Sequence, residues 1–468
     1  MRQGKRMISA VLAVMLLIYM GITASAADPA QEGELTAEQK LQQELDTAYA
    51  MTVQSNSIPG WPQGPGTYGD AAIVMEAETG AILYAKNIKD HHFPASITKV
   101  LTALVAMENG QFTDPVVFSH DSLAFIQPGD AYIGMKEGNQ ISLEQGLYAV
   151  LLASANEVAY AVGESVGRNA GYDYNWFLER MNARCRELGG ENSNFVNPHG
   201  LHDPNHYTCA KDMALIGREI FRHPEFFNIV QTLQYTIPAS ETTEEHIFQQ
   251  KHKMLYPGNA EYYEWAIGGK TGYTDEALST LITMADNGSM QLVCVVLRTH
   301  GKNVYPDTRN LLDYAFANFS RIPAAEAETS EDVEQILSTP ESTDPAIGKG
   351  YVVVPNGMDF KDLAMEIVPD SENEGQGTLE YRYSSTLLGT ARAALSQSYI
   401  DSRRKKEEDQ EPETQNSQQK KPEDKNSKIL TFLRDKTDLE KGVILGGPVI
   451  LLILTAVLLT IIRIRRRR

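Results

Sequence analysis

Hydrophobic and polar positions change their period several times along the chain. Residues 7–22 are a short apolar run behind Arg2, Lys5 and Arg6, ending at Ala24-Ser25-Ala26. A basic start, a greasy centre and small residues before a cleavage point are the layout of a secretory signal peptide, expected over residues 1–26. Residues 35–51 carry a helical pattern. Pro59, Gly60, Pro62, Gly64, Pro65 and Gly66 then read as loop rather than packed element, so 27–68 is a leader. From Asp70 to Phe319 the texture is globular. Residues 71–84 predict a β-hairpin turning near Glu78-Thr79-Gly80. Helical spacing follows at 99–109, 143–152 and 157–166. Strands return at 280–285 and 290–298, joined through Asp286-Asn287-Gly288, a strong hairpin signal. Helix-rich sequence between outer strands predicts one α/β unit over 69–319, its sheet drawn from both ends.

Beyond that unit the pattern weakens. Residues 320–348 are acidic and rich in Ser, Thr and Pro, which suits a connector. Short strands at 351–354, 363–368 and 378–383 predict a small β-rich domain over 349–400. Residues 401–442 form a charged linker, and 402–428 hold almost nothing apolar. As coil that part spans roughly 30 Å root-mean-square. Residues 443–462 are uncharged and mostly apolar; at about 1.5 Å per residue they reach about 30 Å, the depth of a bilayer core. Arg463 and Arg465 to Arg468 follow at once. Basic residues stay cytoplasmic, so 443–462 is expected to be a transmembrane helix, 463–468 a cytoplasmic tail, and the rest extracytoplasmic.

Composition adds bounds. At 468 residues, 42% hydrophobic and 8% aromatic, the chain can fill more than one core and is not disordered. Three cysteines exclude a disulfide-dense scaffold, and no C-x-x-C suggests a zinc ribbon. The formal charge is −19. Without the three basic residues of the signal and the five of the tail, 34 basic residues face 61 acidic ones, a net −27. Such a surface excludes general nucleic-acid binding.

Three short patterns carry candidate chemistry: Ser96-Ile97-Thr98-Lys99, Ser154-Ala155-Asn156 and Lys270-Thr271-Gly272. Letters alone decide little, since Ser417-Gln-Gln-Lys420 and Ser371-Glu-Asn373 copy the first two. Context discriminates. Ser96 follows Phe93-Pro94-Ala95 and opens a buried helix, which places it in the first turn with the Lys99 amine on the same face. A serine hydroxyl needs an adjacent base, and a lysine serves only when burial and positive neighbours lower its pKa. An N-cap serine beside a solvated lysine fits the same letters. Ser154-Ala-Asn156 lies between two small-residue-rich helices, as a buried proton relay and amide anchor or as a helix cap. Lys270-Thr-Gly272 follows Gly268-Gly269, as a strand edge open to a ligand carboxylate or as a glycine-rich turn.

Together and in this order the three resemble the penicillin-interacting serine enzymes. The match narrows to the low-molecular-mass penicillin-binding proteins that are serine-type D-alanyl-D-alanine carboxypeptidases, peptidase family S11. The residues that narrow it are Pro94-Ala-Ser-Ile-Thr-Lys99, Asn197-Pro-His-Gly-Leu-His-Asp-Pro-Asn-His-Tyr-Thr208, Asp212-Met-Ala214 and Gly269-Lys-Thr-Gly-Tyr-Thr274, with the strand at 292–297. The resemblance implies an α/β (α+β) penicillin-binding, β-lactamase-like transpeptidase domain with a central antiparallel sheet and helices. A small β-rich domain and a C-terminal transmembrane helix would follow it. It also implies an acyl-transfer cycle on peptidoglycan stem peptides ending in D-Ala-D-Ala, without cofactor or metal. Ser96 would be the nucleophile, Lys99 its base and Ser154 the relay. Asn156, Lys270, Thr271, Gly272 and Tyr273 would bind substrate, and the N–H groups of Ser96 and Tyr273 would form the oxyanion hole. β-Lactams would acylate Ser96. Ala155 stands where this branch usually has glycine, and Cys209 where a small hydroxyl residue is usual.

Other readings weigh less. His199, His202 and His206 lack the H-E-x-x-H spacing of a zinc site, and their segment belongs to the resemblance. A β-lactamase of the glutamate-dependent kind needs an E-x-x-L-N, and between the second and third patterns there is only Glu179-Arg-Met-Asn182. A D-alanyl endopeptidase is chemically close. A non-catalytic penicillin sensor would need more than six cytoplasmic residues.

Overall fold

The computed structural model describes residues 35–329, 337 and 347–410. The expected signal peptide, most of the connector and linker, the expected transmembrane helix and the basic tail lie outside them. By contacts the chain divides into a unit ending at Ser402 and a second beginning at Arg403. The second is described only to residue 410, as the end of a helix Gln397–Gln410.

In the first unit, strands β1 (Ala71–Glu76) and β2 (Ile82–Lys86) form the hairpin. Two small ribbons follow, β3 (Pro115–Val117) with β4 (Gln140–Ser142) and β5 (Gln234–Ile237) with β6 (His246–Gln249). Then come β7 (Ala266–Thr274), β8 (Leu278–Asp286) and β9 (Gln291–Thr299). The main sheet has the order β2-β1-β9-β8-β7, antiparallel throughout, so the two chain ends meet where β1 pairs β9 and β7 is left at an edge.

Both faces of this sheet are covered, which is why β1 reads as an apolar run instead of an alternation. Ala71, Ile73 and Met75 face helices Thr98–Asn109, Asn156–Asn169 and Ala210–Ile220. Ala72 and Val74 face helix Val304–Asn318 and the C-terminal sheet. Helix Thr98–Asn109 is buried without a break from Thr98 to Ala106, so Lys99 emerges inside the molecule.

The second sheet has the order β10-β11-β14-β13-β12, from β10 (Phe319–Pro323), β11 (Ile347–Pro355), β12 (Ala364–Pro369), β13 (Gln376–Tyr383) and β14 (Thr386–Ala394). A buried carboxylate ties it to the first. Glu76 accepts from Thr79 N and Oγ1, each at 2.7 Å, and from the Tyr351 hydroxyl at 2.6 Å, while the Arg321 guanidinium stacks on the Tyr351 ring.

Several local expectations need correction. Ser96 does open the helix, but through a 3-10 turn, Ala95–Ile97, that runs directly into the α-helix starting at Thr98; the left-handed Ala95 (φ 50°) precedes the serine. The helix expected over 143–152 is α only for Leu143–Tyr148 and widens to a π turn over Ala149–Ala153. The glycine- and proline-rich leader is packed: Trp61 is buried against Phe319 and donates to Leu83 O. The connector's first residues belong to β10. Strand β14 is missed because Ala391-Arg-Ala-Ala394 favours helix, yet small residues are required there: a Cβ on Gly389 would lie 2.2 Å from Tyr351 O. The start of the linker is helical.

Candidate active site

The left-handed Ala95 presents Ser96 to a cavity of about 320 Å³ that Ser154, Thr271, Gly272 and Tyr273 also line. Gly272 makes this possible. A Cβ there would sit 2.9 Å from Ser96 N and 3.0 Å from Pro94 O, so only glycine lets β7 lie flat against the serine turn. The Thr280 hydroxyl fastens the same turn by donating to Pro94 O at 2.8 Å. On the other side Gly200 fits against Ala95 O with no room for a side chain.

Lys99 Nζ lies 3.0 Å from Ser96 Oγ and 2.7 Å from Asn156 Oδ1, and it also donates to His199 O. The amine is wholly buried. Burial first, and then the positive charges of Lys270 and Lys251, hold its pKa well below the ordinary lysine value. Asn156 opens the helix Asn156–Asn169, and its N–H donates to Ala131 O at 2.8 Å.

Ser154 follows the π turn in a left-handed conformation (φ 63°) and lines the cavity. Lys270 Nζ donates to Ser154 Oγ at 3.0 Å and to Thr271 O at 2.8 Å. Burial, with Lys251 nearby, lowers the Lys270 pKa to about 7. The lysine ion pairs of the described residues, Lys136–Glu244 and Lys361–Asp359, leave Lys99, Lys251 and Lys270 out. An acidic protein has thus gathered amines around one cavity without pairing them to a carboxylate, although Glu157 and Asp130 lie close enough to raise the Lys99 pKa in part.

All eight residues read from the sequence fall in this neighbourhood. Ser96, Lys99 and Asn156 form one hydrogen-bonded group, Ser154 and Lys270 another, and Thr271, Gly272 and Tyr273 form the β7 wall. The two departures are harmless to backbone geometry. Ala155 has φ −62°, so it needs no glycine, and Cys209 caps helix Ala210–Ile220 with its Sγ accepting from Asp212 N at 3.4 Å. The three cysteines are buried free thiols. The histidines have separate tasks: His199 lends its carbonyl to Lys99 and stacks on Phe125, His206 bonds Thr98 Oγ1, and His202 lies edge-on to Phe93.

Sequence reasoning missed two contributors. Lys251, in Lys251-His-Lys253, lines the cavity and depresses both buried amines; the basic triplet was its only signal. Glu157 is buried and accepts from Ile133 N at 2.7 Å and Gly134 N at 3.3 Å, holding the loop that brings Ala131 to the cavity. Nothing in its neighbourhood of sequence marks it.

Comparison with known proteins gives the same direction. The family model for D-alanyl-D-alanine carboxypeptidase, peptidase S11, matches residues 62–301. D-alanyl-D-alanine carboxypeptidase DacF of Bacillus subtilis is 26% identical over 344 residues, which cover 69% of this chain and 84% of that one. D-alanyl-D-alanine carboxypeptidase DacA of Haemophilus influenzae is 30% identical over 265 residues, covering 54% of this chain and 63% of that one. In fold, the crystal structure of penicillin binding protein 5 from Haemophilus influenzae superposes with a TM-score of 0.55 at 23% identity, covering 71% of this chain and 98% of that one. The chain belongs to the D-alanyl-D-alanine carboxypeptidase family, peptidase S11.

Proposed function

We propose that this member of the family removes the terminal D-alanine from peptidoglycan stem peptides through an acyl-enzyme on Ser96. The observation that carries the reading is the setting of Lys99. A neutral amine has two N–H groups and one lone pair. Asn156 Oδ1 and His199 O take the two N–H groups, which leaves the lone pair for the Ser96 hydroxyl hydrogen 3.0 Å away.

Ser96 Oγ attacks the carbonyl carbon of the penultimate D-alanine as its proton passes to Lys99 Nζ. The oxyanion forms where Gly272 brings β7 against Ser96 N, and the N–H groups of Ser96 and Tyr273 receive it. When the C–N bond breaks, the proton taken by Lys99 passes through the Ser154 hydroxyl, itself held by Lys270, to the leaving amine, and Lys99 is neutral again. Lys270 has two protein acceptors, so its third N–H direction serves the substrate carboxylate beside Thr271. Water then attacks the ester carbonyl, Lys99 accepts its proton and passes it to Ser96 Oγ as the C–O bond breaks, and the shortened peptide leaves. A β-lactam follows the same first step and stays on Ser96.

The test is release of D-alanine from diacetyl-lysyl-D-Ala-D-Ala by the purified protein, with a covalent penicillin adduct mapped by mass to Ser96. Ser96→Ala must abolish both. Rapid penicillin turnover without peptide cleavage would instead favour a β-lactamase.

The chain is further proposed to be exported and held at the membrane by residues 443–462, on the strength of the leader and the arginines that end the apolar run. Among the described residues no helix is long and apolar enough to cross a membrane. Fractionation decides this: the full chain is expected in the membrane pellet after an alkaline wash, and a chain ended at residue 428 in the soluble exported fraction.

A further inference from the structure

We propose that His252 is a positioning residue: its buried ring, bonded to Thr283 and packed against Gly269, holds Lys251 and Lys253 at the rim of the active-site cavity. The inference rests on the proposed function only in assigning the two limbs of the pH profile to Lys99 and Lys270.

The segment Lys251-His252-Lys253 alternates between two environments. Both lysines line the cavity, and the histidine between them has no exposed surface. Extended backbone, φ −80° and ψ 101° at His252, sends successive side chains to opposite sides. The segment lies outside any strand: β6 ends at Gln249, and a 3-10 turn Lys253–Leu255 begins directly after His252. Side chains do what a ladder would. Gln250 Nε2 donates to Val230 O at 2.6 Å, and Gln250 Oε1 accepts from His252 N at 3.0 Å. His252 Nε2 then meets Thr283 Oγ1 on β8 at 3.0 Å.

The ring also fits one place on β7. A Cβ on Gly269 would lie 2.8 Å from His252 Nε2 and 2.9 Å from Cδ2, so the residue before Lys270 leaves room for the imidazole by having no side chain. Gly269 pairs with Thr283, the residue that the ring bonds. Burial, and then the Lys270 charge, lower the ring's pKa to about 3, so it is neutral in the working range. A neutral imidazole has one N–H. We assign it to Nε2, because Nδ1 is buried with no partner and an orphaned acceptor is less costly than an orphaned donor. An apolar ring would avoid the orphan altogether, so what the imidazole contributes is the bond to β8.

That bond matters through the charges around Lys251. Lys253 and Lys302 line the same cavity, with the phenols of Tyr273 and Tyr305, and among the described residues no carboxylate lines it. Lys251 lowers the pKa of both Lys99 and Lys270, while Glu157 and Asp130 oppose it only at Lys99. Fixing Lys251 at the rim therefore holds both reacting amines down.

The experiment uses the full chain and follows penicillin acylation and cleavage of diacetyl-lysyl-D-Ala-D-Ala across pH. His252→Leu fills the space without an N–H, and it should move both limbs of kcat/KM upward by as much as Lys251→Met does. Adding Lys251→Met to His252→Leu should move them no further, since the charge has already left the rim. His252→Gln, whose amide N–H can reach Thr283, should restore the original profile. Thr283→Val removes the same bond from the other side and should move the limbs as His252→Leu does, which keeps the test open if His252→Leu fails to fold. Unmoved limbs in a folded variant that lacks the bond, full additivity with Lys251→Met, or a His252→Gln profile like that of His252→Leu would overturn the inference. An unaltered protein that leaves the peptide uncut overturns the proposed function instead, and the pH dependence of penicillin acylation then decides the role of His252 by itself.

Discussion

Two amines in this molecule are buried to the same degree and do opposite things. Lys86 and Lys99 both have no exposed surface. Lys86 Nζ donates to three backbone carbonyls, Ala48 O at 2.6 Å, Thr67 O at 2.8 Å and Gly69 O at 2.7 Å, with the Thr67 hydroxyl at 3.0 Å. Carbonyls only accept, so every direction around that nitrogen demands an N–H and the ammonium form is the one that fits. Asp307 and Asp70 support the charge, and burial lowers the pKa only to about 8. Around Lys99 one of the three partners is a hydroxyl, which can give its proton as readily as accept one. Its charged neighbours of greatest effect are lysines. Burial alone does not make a base; the type of acceptor and the sign of the neighbours do.

Removing each amine tests this difference most sharply. Lys99→Ala should lower the rate of penicillin acylation by about 10⁴-fold or more, because the serine loses its base. Its folding should survive, as the helix around it is apolar. Lys86→Met should act the other way: acylation per folded molecule stays within a few fold of the original. Three carbonyls then lose their donor, and stability falls by roughly 2–4 kcal/mol in a denaturant titration. A Lys86→Met protein that is stable but slow to acylate would break the comparison.

The pH profile is the next largest effect. Lys99 must be neutral to accept a proton, so kcat/KM rises with pH through its lowered pKa. Lys270 must be protonated to hold the substrate carboxylate, so kcat/KM falls again as pH passes about 7. Binding a carboxylate favours the Lys270 ammonium, and the falling limb of kcat therefore lies higher than that of kcat/KM. Lys251→Met removes a positive neighbour and should move the falling limb of kcat/KM up. Lys86 gives a stability signal with its own sign. Its folded pKa of about 8 is below the unfolded value, so the unfolded chain binds more protons between the two, and stability rises with pH from about 8 upward. Lys86→Met should flatten that rise.

The same contrast shows how much could be read from the sequence. Ser96, Lys99, Ser154, Asn156 and Lys270 were legible because the three patterns, together and in order, resemble a known family; spacing and glycine context alone left each with a structural alternative. The hairpins β1–β2 and β8–β9 were legible through turn residues, Thr79-Gly80 and Asn287-Gly288. Contacts between distant segments were not. Nothing near Lys86 announces the carbonyls of Ala48, Thr67 and Gly69, and nothing near Lys99 announces His199 O. The left-handed Ala95 and the π turn before Ser154 defeat a regular helical period, since both are local strains sustained by tertiary packing. In β14, alanines chosen for close strand approach mimic a helix.

The smallest predicted effect concerns a residue that looked like a departure. Cys209 holds the N-cap of helix Ala210–Ile220 with extended backbone, and its Sγ is 3.4 Å from the Asp212 N–H it caps. A thiol is a weak acceptor, and burial pushes this one up to about 12, so it never becomes a thiolate near neutrality. A hydroxyl accepts the same N–H more strongly, but it also brings a donor into a fully buried site. The Asp212 carboxylate, which the thiol also faces and whose Oδ1 has no other partner, is the acceptor for that donor. Cys209→Ser is therefore expected to stabilise by only about 0.5 kcal/mol, and Cys209→Ala to destabilise by about 1 kcal/mol, read as shifts in the urea midpoint. Penicillin acylation should be unchanged in both, because the cap lies outside the amine-lined cavity. A slower acylation in Cys209→Ser at unchanged stability would mean that this helix, unlike the Lys86 cradle, is coupled to the reacting group.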